Sequence, residues 1–238
     1  MSRLRLLLVA AVWTAAASAA GPVRAAEPSS FTYAPLPPGT IVQSRLVYLA
    51  GEGMQSQWRA VISKKQVGAG AGQKFYQWYL SIYAIDGSTY KLKYKSPGDG
   101  GPFDTVTKAN GANMWYPFQS AKIAGVAELM APGIQQVVVQ AHQQAADCGS
   151  ATVTVFAYDG KANKVVPSAF VENGCQLDAS IVERAAGNAI ALKGPYFGPN
   201  AAMCCPTKPA ASAVLRYVAG TWKEEPAYYT LKALTTPP

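Results

Sequence analysis

The run Gln77-Trp-Tyr-Leu-Ser-Ile-Tyr-Ala-Ile85, followed by Asp86-Gly87 and then Tyr90-Lys-Leu-Lys-Tyr94, decides the fold class. In its last part, apolar or aromatic residues alternate with lysine, the period of a strand with one buried face. Between the two halves, Asp-Gly supplies the positive φ that a tight hairpin turn demands. The same recipe returns later, where Ala151-Thr-Val-Thr-Val-Phe-Ala-Tyr158 leads into Asp159-Gly160 and Lys164-Val165-Val166 begins the return. Ser81-Ile-Tyr-Ala-Ile-Asp-Gly87 matches Thr154-Val-Phe-Ala-Tyr-Asp-Gly160 in residue type along its length. Upstream, Gly53-Met-Gln-Ser and Gly133-Ile-Gln-Gln each open a candidate strand, Trp58 to Ile62 and Val137 to Ala141. The first copy carries seven more residues between these landmarks, which the Gly-rich segment Gly68 to Gly72 accommodates. Two copies of one β unit are therefore expected, although amphipathic hairpins also share a pattern for physical reasons alone.

Outward from these hairpins the texture stays Val, Ile, Tyr, Thr and Trp, punctuated by Gly, Asn and Asp. Ser180 to Arg184 and Ala189 to Leu192 flank a turn at Ala186-Gly187-Asn188, and Ala213 to Val218 and Thr221 to Lys223 flank Ala219-Gly220. Only Ser120 to Met130 reads as a helix. The expectation is an all-β fold of antiparallel hairpins and meanders with few short helices. A Pro-rich extended lead-in over 26–40 precedes one domain over 41–238, made of units near 41–120 and 121–200 plus a C-terminal hairpin.

At the N-terminus, Arg3 and Arg5 precede an uncharged run from Leu6 to Ala20 and then small residues. That is the pattern of a cleavable secretory signal rather than of a membrane span, which needs about 20 apolar residues. Cleavage after Ala19 and after Ala25 both fit; Pro22 breaks the apolar run before the second, which favours a signal over 1–25. No cysteine stands near this end to carry a lipid, so no membrane anchor is expected after cleavage. Losing Arg3, Arg5 and Arg24 lowers the formal charge from +8 to +5. The remaining basic residues are scattered, a pattern that favours solubility and weak attraction to anionic envelope polymers, not a nucleic-acid site. A periplasmic or secreted location follows.

Four cysteines in an exported chain predict disulfides. Cys148 and Cys175 stand at equal distances on either side of the second hairpin's turn, so regular register brings them opposite one another at its open end. Cys204 and Cys205 remain. Adjacent cysteines bridge only through a strained ring, which is readily reduced. Such a ring stiffens the turn before Pro206 or makes the loop redox-active, and cross-pairing between the two sets follows if the loop folds over the hairpin mouth.

Catalytic signatures are sparse. His142 is the sole histidine, so a multi-histidine metal site is excluded and a histidine triad would have to use this residue. A Cys148–His142 couple requires a free thiol, which export argues against. Ser96 to Gly101 supplies one carboxylate, too few for calcium. No cofactor or metal is expected, and no catalytic residue is assigned. Aromatic clusters are the residue class suited to recognition: Trp78 in the first hairpin, Trp115 and Tyr116, and Tyr196 and Phe197. In a β fold the same residues also serve as core.

The C-terminal third, with Tyr196-Phe-Gly-Pro-Asn-Ala-Ala-Met-Cys204-Cys205-Pro206, Val214-Leu-Arg-Tyr217 and Gly220-Thr-Trp222, resembles the LppP/LprE lipoprotein family. The resemblance covers about 40 residues. It implies an exported protein and carries over no catalytic residue; the chain departs from that pattern in lacking a lipidated cysteine. The function expected is a non-enzymatic exported protein that binds an envelope component or partner protein through its loops. The alternative is a thiol–disulfide protein acting through Cys204-Cys205.

Overall fold

The alternating segments form strands, and almost every chain reversal joins antiparallel neighbours. The computed structural model describes residues 31–50, 57–70, 73–99, 108–109, 114–115, 118–143, 149–185, 187–198 and 206–234. None of these is helical; the fold is all-β.

The first sheet contains β1 (Thr32–Ala34), β2 (Thr40–Tyr48), β3 (Gln57–Gly70), β4 (Gln73–Asp86) and β5 (Thr89–Ser96), in the order β1-β5-β4-β3-β2. From β2 to β5 it is an antiparallel meander, and β1 adds to β5 in parallel. The Pro-rich lead-in thus supplies an edge strand. Its Tyr33 packs 4.8 Å from Tyr83 and 5.4 Å from Tyr90, ring centre to ring centre. A short ladder pairs β6 (Lys108–Ala109) with β7 (Met114–Trp115).

The second meander is β8 (Phe118–Ala131), β9 (Ile134–Gln143), β10 (Ser150–Asp159) and β11 (Lys164–Asn173). A third follows in β12 (Asp178–Val182), β13 (Ala189–Tyr196), β14 (Lys208–Val218) and β15 (Thr221–Glu225). β16 (Thr230–Ala233) then returns to the second sheet beside β11. In each meander a short turn joins the third strand to the fourth. Asp86 pairs with Thr89 across Gly87, at φ +61°, and Ala219 and Gly220 both hold positive φ. Asp159 pairs with Lys164; here the positive φ falls on Asn163 rather than Gly160, and the Asp159 carboxylate accepts from the Lys161 and Ala162 N–H groups.

Two cores lie on the two faces of the second sheet. Trp58, Ile62, Trp78, Leu80, Ile82 and Tyr94 of the first sheet meet Ile123, Val137, Val139 and Phe156 of the second. On the other face Val138, Val153, Val155 and Val171 meet Ile190, Leu192, Leu215 and Trp222 of the third sheet. Val137-Val138-Val139 is unbroken in sequence because successive side chains enter different cores, and both faces of this strand exclude water. The described strands all belong to the compact unit Phe31–Pro238.

Ser120 to Met130, which the sequence offered as a helix, lies within β8. Register shifts at Phe118/Ser120, Ile123/Gly125 and Ala127/Ala131 insert extra residues. Across the shift at Ile123/Gly125 the buried side chains change core: Ala121 and Ile123 enter the one shared with the first sheet, Ala127 and Leu129 the one shared with the third.

Candidate binding surface

Pro195 sets the geometry of the third sheet's outer end. Proline has no N–H to give the ladder, and pairing between β13 and β14 shifts between Gly194 and Tyr196. Two side chains repair the break. Asn173 Nδ2 donates to the carbonyls of Gln176 (2.9 Å) and Pro195 (3.0 Å). Tyr229 Oη lies 3.1 Å from the Gly194 carbonyl and 3.2 Å from that of Ala211, so its single hydrogen serves one of them at a time. Gly194 itself is required, because a Cβ there would collide with the Gln176 carbonyl oxygen.

Tyr229 is in turn held by Glu224. The buried Glu224 carboxylate accepts from the N–H groups of Tyr228 (2.9 Å) and Tyr229 (3.0 Å), which fixes the turn after Pro226. Burial raises the Glu224 pKa above its ordinary value, against the pull of those two donors. Burial, followed by the neighbouring Glu224 charge, pushes the Tyr229 hydroxyl up to about 12.

This frame presents Tyr228 half-buried at the surface. Its ring centre lies 5.0 Å from that of Tyr196, at a 40° tilt. Lys208, the ladder partner of Tyr196, places its Nζ 4.4 Å from the Tyr228 ring centre and donates to the Tyr228 hydroxyl at 2.7 Å. Phe197 follows, also half-buried. The Gly198 N–H donates to Thr207 Oγ1 at 3.0 Å, drawing together the ends of the segment that carries Cys204 and Cys205. Among the described residues no carboxylate pairs with Lys208. The arrangement offers aromatic area beside an uncompensated ammonium, which suits an anionic ligand with a flat apolar face.

The residues singled out in the sequence are distributed unevenly. Phe197 follows Tyr196 in the chain, and Tyr196 belongs to this surface. Trp78 does not: at 6 % exposure it is core between the first and second sheets, on the inward face of β4. The Trp115 side chain, Tyr116, Cys148, Cys204 and Cys205 lie outside the described residues. Cys175 is buried. His142 pairs with Ala151 in the β9–β10 ladder, and its Nε2 is buried without a hydrogen-bond partner. Tyr228, Lys208 and Glu224 were not singled out. The one local signal was Tyr228-Tyr229 shortly after Pro226, an aromatic pair next to a turn. Compared with known protein families, curated proteins and solved structures, the chain matches none.

Proposed function

We propose that this is an exported, non-enzymatic binding protein that captures an acidic glycan of the cell envelope on Tyr196, Phe197, Tyr228 and Lys208. The observation that carries the reading is Lys208 lying against the Tyr228 ring with no carboxylate partner among the described residues. A sugar ring covers an aromatic face with its C–H groups, and an acid group on that ring would meet the ammonium. The secretory pattern at the N-terminus and the excess of basic residues agree with an envelope ligand. So does the C-terminal resemblance to the LppP/LprE family, which implies export.

The disulfide Cys148–Cys175 belongs to the same proposal. Ala151 pairs with Asn173; continued two steps, that register would set Gly149 opposite Cys175, one residue from Cys148. Closing the 26 intervening residues stabilises by about 3 kcal/mol on the chain-entropy estimate.

Titration calorimetry with uronate-containing and neutral oligosaccharides tests the ligand. The acidic sugar should bind, and Tyr228→Ala and Lys208→Ala should each weaken it about ten-fold. Equal binding of the neutral sugar, or unchanged affinity in both variants, overturns the reading. Thiol-exchange activity that depends on Cys204 and Cys205 would favour the redox alternative.

A further inference from the structure

The first sheet projects a two-stranded arm. β2 pairs with β3 only as far as Lys64, and β5 pairs with β4 only from Leu80 onward. Beyond those points β3 and β4 continue with each other alone, through Lys65↔Gln77, Gln66↔Tyr76, Gly68↔Phe75 and Ala69↔Lys74 to Gly70↔Gln73. Among the described residues no strand flanks either edge of this extension, which reaches about 17 Å past the sheet.

Its chemistry differs from that of the rest of the sheet. Lys65 and Lys74 are exposed on it, and Lys64 at its root sits 4.6 Å from the Tyr76 ring centre. Val67, at a register shift in β3, is 60 % exposed. At the root, Leu36 is 76 % exposed, and Ile41 and Val42 are 43 % and 47 % exposed. Ile41 pairs with Ser63, and the Gly39 backbone abuts Lys64 and Lys65, so the root patch and the arm are continuous. From Leu36 to Ile85 the sequence holds a single acidic residue, Glu52. Among the described residues no carboxylate pairs with Lys64, Lys65 or Lys74.

We infer that this arm docks the protein on an anionic lipid bilayer. Exposed aliphatic side chains beside unpaired lysines match a membrane interface: the aliphatics enter the headgroup boundary and the lysines meet lipid phosphates. Charge complementarity selects this occupant over a second copy of the chain, which would bring like charges together. The surface around Tyr228 is separate, on the third sheet, so the two assignments stand or fall independently.

Protein beginning at Ala26 retains the compact unit Phe31–Pro238 and removes the apolar leader from the readout. Its co-sedimentation should be compared on vesicles of phosphatidylcholine alone and on vesicles containing phosphatidylglycerol. Binding is expected only to the anionic vesicles and should fade at about 0.5 M salt. Lys65→Ala with Lys74→Ala should reduce partitioning about ten- to thirty-fold, and Val67→Asp should reduce it further. Both variants should keep the parent thermal midpoint, since all three side chains are exposed. Lys208→Ala should leave vesicle binding unchanged. Absence of binding, equal binding to neutral vesicles, or insensitivity to the arm variants overturns the inference. So does complete competition by a soluble acidic polysaccharide, which would assign the arm to a glycan.

Discussion

Glu224 shows how one buried acid can support a surface from behind, through the backbone. Its carboxylate caps the N–H groups of Tyr228 and Tyr229, and burial raises its pKa above the ordinary 4.5. A raised carboxyl pKa means that the folded chain holds a proton which the unfolded chain has already released. Its contribution to stability is therefore greatest below the unfolded value and declines as pH rises through the folded one. Glu224→Gln keeps an oxygen acceptor for both N–H groups and cannot ionise. The midpoint of the variant relative to the parent should thus climb as pH rises above the ordinary carboxylate range, measured by thermal unfolding. A gap that stays level or narrows would show that the two backbone donors outweigh burial. The site was legible in sequence only in part, and this residue shows why. Tyr196 and Phe197 stood out as an aromatic pair, whereas Lys208 and Tyr228 are brought to them by a register shift at Pro195 and by a capped turn. Neither leaves a periodic trace. Trp78 failed as a surface residue for a related reason: alternation told which residues share a face, not which face is covered by another sheet.

At the scale of the element, the edges are closed by glutamine rather than by more strands. Gln43, at a register shift in β2, donates to the Ile123 carbonyl at 3.2 Å and accepts from the Ile123 N–H at 2.7 Å. Its amide copies a strand's own pairing groups and joins the first sheet to the second. Gln135 likewise accepts from the Tyr48 N–H at 3.1 Å, and Gln140 from that of Ala179 at 3.0 Å. Gln43→Ala would leave both backbone groups of Ile123 without this partner in a part-buried site. That change should cost about 1–3 kcal/mol, read from the denaturation midpoint, with the exposed Gln66→Ala as a near-silent control. Equal effects of the two would mean that water substitutes fully at Ile123. The hairpins themselves were legible, because Asp-Gly and period-two alternation report local geometry. β8 was not, because its inserted residues send Ala121 and Ile123 to one core and Ala127 and Leu129 to the other, a change of face with no local cause visible in sequence.

At the scale of the whole molecule, two cores lie around one doubly covered sheet. A domain of this length buries about 70 % of the surface its unfolded chain would expose, but net stability is only about 5–15 kcal/mol, so a bridge of about 3 kcal/mol is a sizeable part of it. Disulfides in such a chain also speak to compartment, since thiols stay reduced in the cytosol and oxidise outside it. Export and oxidation should therefore appear together in one measurement. Protein recovered from its native host is expected to begin at Ala20 or Ala26. Its intact mass should be lighter, by the hydrogens lost to each bridge, than the sum of its reduced residues. Digestion without reductant should then join the Cys148 peptide to the Cys175 peptide. A species retaining Met1 would refute export. A mature species with free thiols at Cys148 and Cys175 would separate export from oxidation and remove the bridge. Linkage of Cys175 to Cys204 or Cys205 would instead tie the second sheet's open hairpin to the loop beyond Gly198. The Asn173 contact with Pro195 joins β11 to β13, and the digest distinguishes the two pairings.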